Sequence, residues 1–271
     1  MTKITEKNSL YRNLEKMSTR EVLSSINHED QKVAKAVQKS IESLEKLVDI
    51  VTKKLSTNGR LFYIGSGTSG RLGILDASEC PPTFGVSRDL VIALIAGGDN
   101  AIRSSIESAE DNKEQAWIDL KNYKISKNDV VIGISASGTT PYVLGGLEKC
   151  QKHAIYTGCI TCNQNMPITK YSDTAIEIEV GPEFLTGSTR MKAGTAQKMA
   201  LNMLSTGVMI KLGHVIDNKM IDMQLKNNKL RERGISMIQE ICQINRKEAS
   251  YLLKKYGNLR LAINSVKNNV Q

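Results

Sequence analysis

Residues 63–82, YIGSGTSGRLGILDASECPP, place a glycine-rich turn between a short apolar strand and a helix, with Gly65, Gly67 and Gly70 in the G-x-G-x-x-G spacing. Any tight strand-to-helix turn that lifts backbone N–H groups towards a phosphate selects glycine in this way. A dinucleotide site also needs an acidic residue near the end of the second strand to grip a ribose. That condition fails here, because Asp89 precedes the second strand, LVIALIAGG, and Asp99 lies beyond its Gly-Gly pair. Hydroxyls fill the gaps between the glycines instead: Ser66, Thr68 and Ser69.

A second loop of the same character, SASGTT, follows the third strand, DVVIGIS, and carries Ser135, Ser137, Thr139 and Thr140. Taken singly, each loop reads as a helix N-cap, the commonest use of Ser and Thr at such places. Together, at equivalent points of a repeating strand–helix pattern, they can converge on one dianion through hydroxyls, N–H groups and helix dipoles. A phosphomonoester suits them better than a dinucleotide.

The pattern extends outward from there. The apolar runs RLFYIG, LVIALIAGG, DVVIGIS, AIYTGCITC and TAIEIEV alternate with the helical stretches GRLGILDAS, NAIRSSIESAEDNKEQAWIDL and TTPYVLGGLEKCQK. Strands so uniformly apolar, separated by helices, predict an α/β fold, a doubly wound parallel sheet sandwich buried on both faces. The first of those helices is predicted to stop at Pro81 and Pro82. N-terminal helices precede the sheet, with Val37, Ile41, Leu44, Leu47, Val48 and Val51 at helical spacing. The stretch AQKMALNMLSTGVMIKLG is apolar on nearly every side, as for a buried or subunit-contact helix, and a small C-terminal helical domain follows with Gly257 as a helix stop. The expected divisions are 1–52, 53–219 and 220–271.

Of the net charge of +9, seven units come from residues 219–271, where eleven Lys and Arg face four Asp and Glu. They are scattered among Asn and apolar residues, which favours a solvated face over a nucleic-acid partner. Five cysteines without framework spacing indicate reduced thiols, and Cys159 and Cys162, within a predicted strand, point to opposite faces rather than at a metal. His28, His153 and His214 show no metal-ligand spacing. Neither a signal peptide nor a membrane-length apolar run is present, so a cytoplasmic protein without membrane association is expected.

At the two hydroxyl loops the sequence resembles the sugar isomerase (SIS) domain. Over the longer motifs GSGTSGRLGILDASECPPTFG (65–85) and GPEFLTGSTRMKAGTAQKMALNMLSTGVMIKLG (181–213) it resembles the N-acetylmuramic acid 6-phosphate etherase family. The resemblance implies cleavage of a lactyl ether from carbon 3 of a sugar phosphate by elimination and addition of water. That chemistry needs an acid and a base and no metal or redox cofactor. It assigns the acid to Glu79, at a predicted helix end where the dipole favours the protonated form. It assigns the second catalytic role to Glu110, which stands among Glu107, Asp111 and Glu114 on what reads as one helix face, and we take that role to be the base for the carbon 2 proton. A homodimer is also implied. Glu183 is open between lining a pocket and capping a helix, and Arg190 and Lys192 between meeting an anion and forming salt bridges. On the same fold, an aldose–ketose sugar phosphate isomerase would use a single base, and a non-catalytic sugar-phosphate sensor such as the glucokinase regulatory protein would need no glutamate pair.

Overall fold

The computed structural model describes residues 3–106 and 108–267, so Met1, Thr2, Glu107 and the last four residues lie outside it. The chain divides into two compact units, one of Met1–Ala77 and Asp89–Val208, the other of Ser78–Arg88 and Met209–Gln271.

In the first unit, Ser18 and Glu21 form a reciprocal capping box that starts α1 (Thr19–Gln38). Helix α2 (Ile41–Ser56) buries Leu44, Leu47, Val51 and Leu55, a stripe three or four residues apart that covers the sheet. Five parallel strands follow: β1 (Leu61–Gly65), β2 (Val91–Ile95), β3 (Val130–Ile134), β4 (Tyr156–Thr161) and β5 (Thr174–Glu177). Their order is β2-β1-β3-β4-β5. Every residue of β1 and β3 is buried, which is why these strands are continuously apolar rather than alternating. Helices α3 (Gly67–Phe84), α4 (Asn100–Arg103), α5 (Gln115–Asn122), α6 (Pro141–Lys152) and α7 (Lys192–Lys211) complete the α/β pattern. Phe62, Ile64, Val131, Tyr142, Val143 and Leu147 lie in one apolar cluster.

The strand order reverses between β1 and β3, and in sheets of this order ligands bind outside the carboxyl ends of the strands at that crevice. Gly65 pairs in register with both Ile95 and Ile134, so the loops after β1 and β3 open side by side at one level.

Two sequence expectations change. Helix α3 does not stop at Pro81 and Pro82 but runs through them to Phe84. The prolines forfeit two hydrogen bonds of the last turn. In compensation, the Gly85 N–H closes the turn on the Pro81 carbonyl and the Gln224 N–H reaches the Pro82 carbonyl. The expected single helix from Asn100 to Leu120 is broken. Ser104 is extended, Ser108 takes a left-handed conformation at φ 59°, and a 3-10 turn spans Ala109–Asp111 before α5 begins. Glu110 is therefore on a turn and not on a solvated helix face.

The second unit holds a short hairpin, β6 (Val215–Ile216) and β7 (Lys219–Met220), and three helices, α8 (Asn228–Cys242), α9 (Arg246–Tyr256) and α10 (Leu259–Lys267). Ile235, Ile238, Leu253, Leu259 and Ile263 form its core. Gly257, at φ 62°, ends α9 as the sequence predicts. Asp222 accepts from Arg260 and lies 2.8 Å from His214 Nδ1, tying the hairpin to α10. Lys226, Lys229, Arg231, Arg233, Lys254 and Lys255 are exposed, a solvated basic face. The five cysteines are free thiols, and burial pushes that of Cys159 up to about 11. Among the described residues no helix is long and apolar enough to cross a membrane.

Candidate active site

The β1 loop owes its path to two glycines. Gly67 adopts φ 51°, and a Cβ on Gly65 would lie 2.8 Å from the Gly70 nitrogen, so helix α3 can start against the strand end only without side chains there. Within this loop the hydroxyls diverge. Ser69 turns inward and donates to Gln197 Oε1 at 3.0 Å, linking α3 to α7. Ser66 stays half-buried and donates to Glu110 Oε2 at 2.7 Å, and Thr68 is also half-buried.

The β3 loop is a cluster of mutually bonded hydroxyls. Ser135 Oγ lies 2.8 Å from Thr140 Oγ1 and 3.4 Å from Ser137 Oγ, which lies 3.1 Å from Thr139 Oγ1. Thr140 precedes α6 without capping it, since its hydroxyl pairs with Ser135 instead. Pro141 carries no N–H, so the Tyr142 and Val143 N–H groups are the ones left without a side-chain cap at the start of α6, the arrangement in which a helix N-terminus takes an anion. Asn163, buried beyond β4, braces the loop by donating to the Ala136 carbonyl at 2.9 Å. Gly138 sits at φ 70°, and a Cβ there would come within 2.5 Å of Met166 Cβ. Gly138→Ala is therefore expected to cost about 1–3 kcal/mol of unfolding free energy. A urea titration checks that loss, and a raised KM for a phosphorylated sugar would accompany the displaced hydroxyls.

Beside the β1 loop lies a pocket of about 220 Å³, lined among others by Ser66, Arg71, Ser105, Ser108 and Glu110. Glu110 and Ser66, both assigned from sequence, thus meet at one site. Glu79 is not among its lining residues; it is exposed on α3, twelve residues beyond Gly67. Arg71 was missed in the sequence, although it directly follows GSGTSG and is the one cation between Arg60 and Arg88.

The glucokinase regulatory protein N-terminal SIS domain matches residues 32–151, and the SIS domain matches residues 110–207. The chain is 58% identical over 264 residues to N-acetylmuramic acid 6-phosphate etherase of Christiangramia forsetii, covering 97% of this chain and 96% of that one. It is 53% identical over 265 residues to the protein of that name from Porphyromonas gingivalis, covering 98% and 97%. This chain belongs to the N-acetylmuramic acid 6-phosphate etherase family. In fold the etherase chain is also similar to a phosphoheptose isomerase from Neisseria gonorrhoeae, with a TM-score of 0.54 at 14% identity over 70% of this chain and 98% of that one.

The second long motif of the etherase chain supports α7. Glu183 is fully buried, and its two carboxylate oxygens accept the N–H groups of Lys192 and Ala193, each at 2.9 Å. Of its two readings the helix cap holds, and burial raises its carboxyl above the ordinary value. Lys192 is buried too, with Nζ 2.6 Å from Glu29 Oε2, whose other oxygen takes Lys32 at 2.6 Å and the Tyr11 hydroxyl at 3.1 Å. Burial alone would raise Glu29, but Lys192 and Lys32 hold it down to about 2. Arg190 is exposed.

Proposed function

We propose that this chain converts N-acetylmuramic acid 6-phosphate and water into N-acetylglucosamine 6-phosphate and D-lactate, with Glu110 as base and Glu79 as acid. Near full-length likeness to etherases carries the reading, and the Ser66–Glu110 contact beside a phosphate-type loop fits it. The likeness spans both long motifs, and an isomerase or a sensor would not need the glutamate pair.

Direct displacement of an ether at carbon 3 is slow. In the open-chain sugar the aldehyde at carbon 1 acidifies the proton on carbon 2. Glu110 takes that proton, the electron pair forms the C2–C3 double bond, and the C3–O bond breaks as Glu79 protonates the departing lactate oxygen. Glu79, now a carboxylate, takes a proton from water as the water oxygen adds to carbon 3, and the proton held by Glu110 returns to carbon 2, so both glutamates regain their starting states. Each proton transfer of this kind contributes about a hundred- to ten-thousand-fold in rate. Ser135, Ser137, Thr139 and Thr140, with Ser66, Thr68 and Ser69 shaping the facing loop, receive the phosphate between them.

The two glutamates act on neighbouring atoms of one sugar. Glu79 is not among the residues lining the Glu110 pocket, and the reading supplies it from a second copy in a homodimer, each chain completing the other's site. Met203 and Ile210, 42% and 49% exposed on α7, offer apolar surface for such a contact. Phosphorylated sugars are held inside cells, which makes the cytoplasm the place of the reaction.

The test is D-lactate release from N-acetylmuramic acid 6-phosphate by purified protein with no added cofactor. Release is expected. Binding of the sugar phosphate without lactate would return the chain to the sensor reading.

A further inference from the structure

We infer that Arg71 holds the carboxylate of the lactyl substituent and so makes the enzyme select an acidic 3-ether over a neutral one. The inference rests on the etherase reading and assigns a part of the substrate that the two glutamates and the hydroxyl loops leave unrecognised. N-acetylmuramic acid 6-phosphate carries two separate anions. The phosphate matches the hydroxyl cluster and α6 N-terminus after β3, which offer many neutral donors and no cation. The carboxylate, attached through the ether oxygen at carbon 3, needs a donor near the base that works at carbon 2.

The Glu110 pocket provides it. Arg71 is the single cation among the lining residues Ser66, Gly67, Arg71, Ser105, Ser108 and Glu110 and their apolar neighbours. At about 220 Å³ the pocket is smaller than the roughly 300–1,000 Å³ usual for a whole small-molecule site, so it suits one arm of the substrate. Arg71 is half-buried, and its Nε donates to the Ile102 carbonyl at 2.9 Å, which fixes the guanidinium plane from one edge. Among the described residues it forms no ion pair, so its two Nη groups keep the fork that meets a carboxylate in bidentate fashion. Lys192, which the sequence also offers for an anion, is already committed to Glu29. A carboxylate held by Arg71 also fixes the ether oxygen in front of the acid, so the same contact that selects the substrate orients its leaving group.

The experiment compares N-acetylmuramic acid 6-phosphate with the 3-O-ethyl ether of N-acetylglucosamine 6-phosphate, which keeps the ether and the phosphate and lacks the carboxylate. Formation of N-acetylglucosamine 6-phosphate is followed for the wild type, Arg71→Met and Arg71→Lys. The wild type is expected to favour the acid in kcat/KM by about 100-fold, in line with loss of a charge-assisted bidentate pair. Arg71→Met is expected to lose that preference, falling about 100-fold on the acid and less than threefold on the ethyl ether. Arg71→Lys, which keeps the charge without the fork, is expected to fall about tenfold on the acid alone. An equal fall on both substrates would mean that Arg71 serves the phosphate or the pocket wall, and no fall on either that it touches no substrate; each overturns the assignment. Should Arg71→Met fail to fold, the wild-type preference and Arg71→Lys decide the matter. Absence of product from either substrate with the wild type would instead overturn the etherase reading itself.

Discussion

Glu110→Gln is expected to lower kcat for lactate release about a thousandfold while leaving KM within a few-fold of the wild type. The glutamine keeps the length of the side chain and an oxygen for the Ser66 hydroxyl, now 2.7 Å from the carboxylate, so the pocket keeps its shape and loses only the base. Glu79→Ala should be similarly inactive for a different reason. In heavy water it is expected still to exchange the proton on carbon 2, because removal of that proton precedes departure of lactate, whereas Glu110→Gln should exchange nothing. The reverse pattern would interchange the two roles. The two inactive chains also test where Glu79 comes from. After subunit exchange of an equal mixture, half of the dimers are mixed, and each of those holds one intact site if Glu79 crosses between chains. Activity should then recover to about one quarter of the wild type. Zero recovery would place both glutamates on the same chain.

The sheet was legible because its strands are buried on both faces, so LFYIG and VVIGI had to be apolar throughout and could be told from the helices around them. The β3 loop was equally legible, since its mutually bonded hydroxyls all fall within residues 135–140. Harder to read were features fixed by residues distant along the chain. The passage of α3 through Pro81 and Pro82 depends on a partner at Gln224, and the burial of Lys192 depends on Glu29 at a separation of 163 residues. The break after Arg103 had a local signal in Ser104, Ser105, Ser108 and Asn112, all poor helix formers, which apolar residues at helical spacing outweighed. Glu110 could not be singled out from its acidic neighbours by composition; its contact with Ser66 separates it from Asp111 and Glu114. Among the described residues Glu79 makes no such contact, and its proposed role rests on family membership and on the chemical need for an acid.

The largest loss of stability is expected at Lys192→Met, about 3–5 kcal/mol in a urea titration at neutral pH. The ammonium and the Glu29 carboxylate are 2% and 4% exposed, so removing one charge strands the other where water cannot reach it. Lys32 remains on the second oxygen, but its own side chain is 45% exposed and replaces little of the lost partner. Replacing both ends, as in Glu29→Gln with Lys192→Met, removes the stranded charge and should recover much of the loss, because desolvating the pair cancels most of what its attraction provides. A double variant no better than the single one would show that Lys192 acts by packing alone. The acid limb supplies a second reading. Glu29 is held at about 2 when folded against an ordinary value of 4.5, so the unfolded chain binds its proton first as pH falls. The stabilisation is therefore complete above pH 4.5 and drains away between 4.5 and about 2. Glu29→Gln, which has no proton to take up there, should show a shallower decline of melting temperature across that interval than the wild type does.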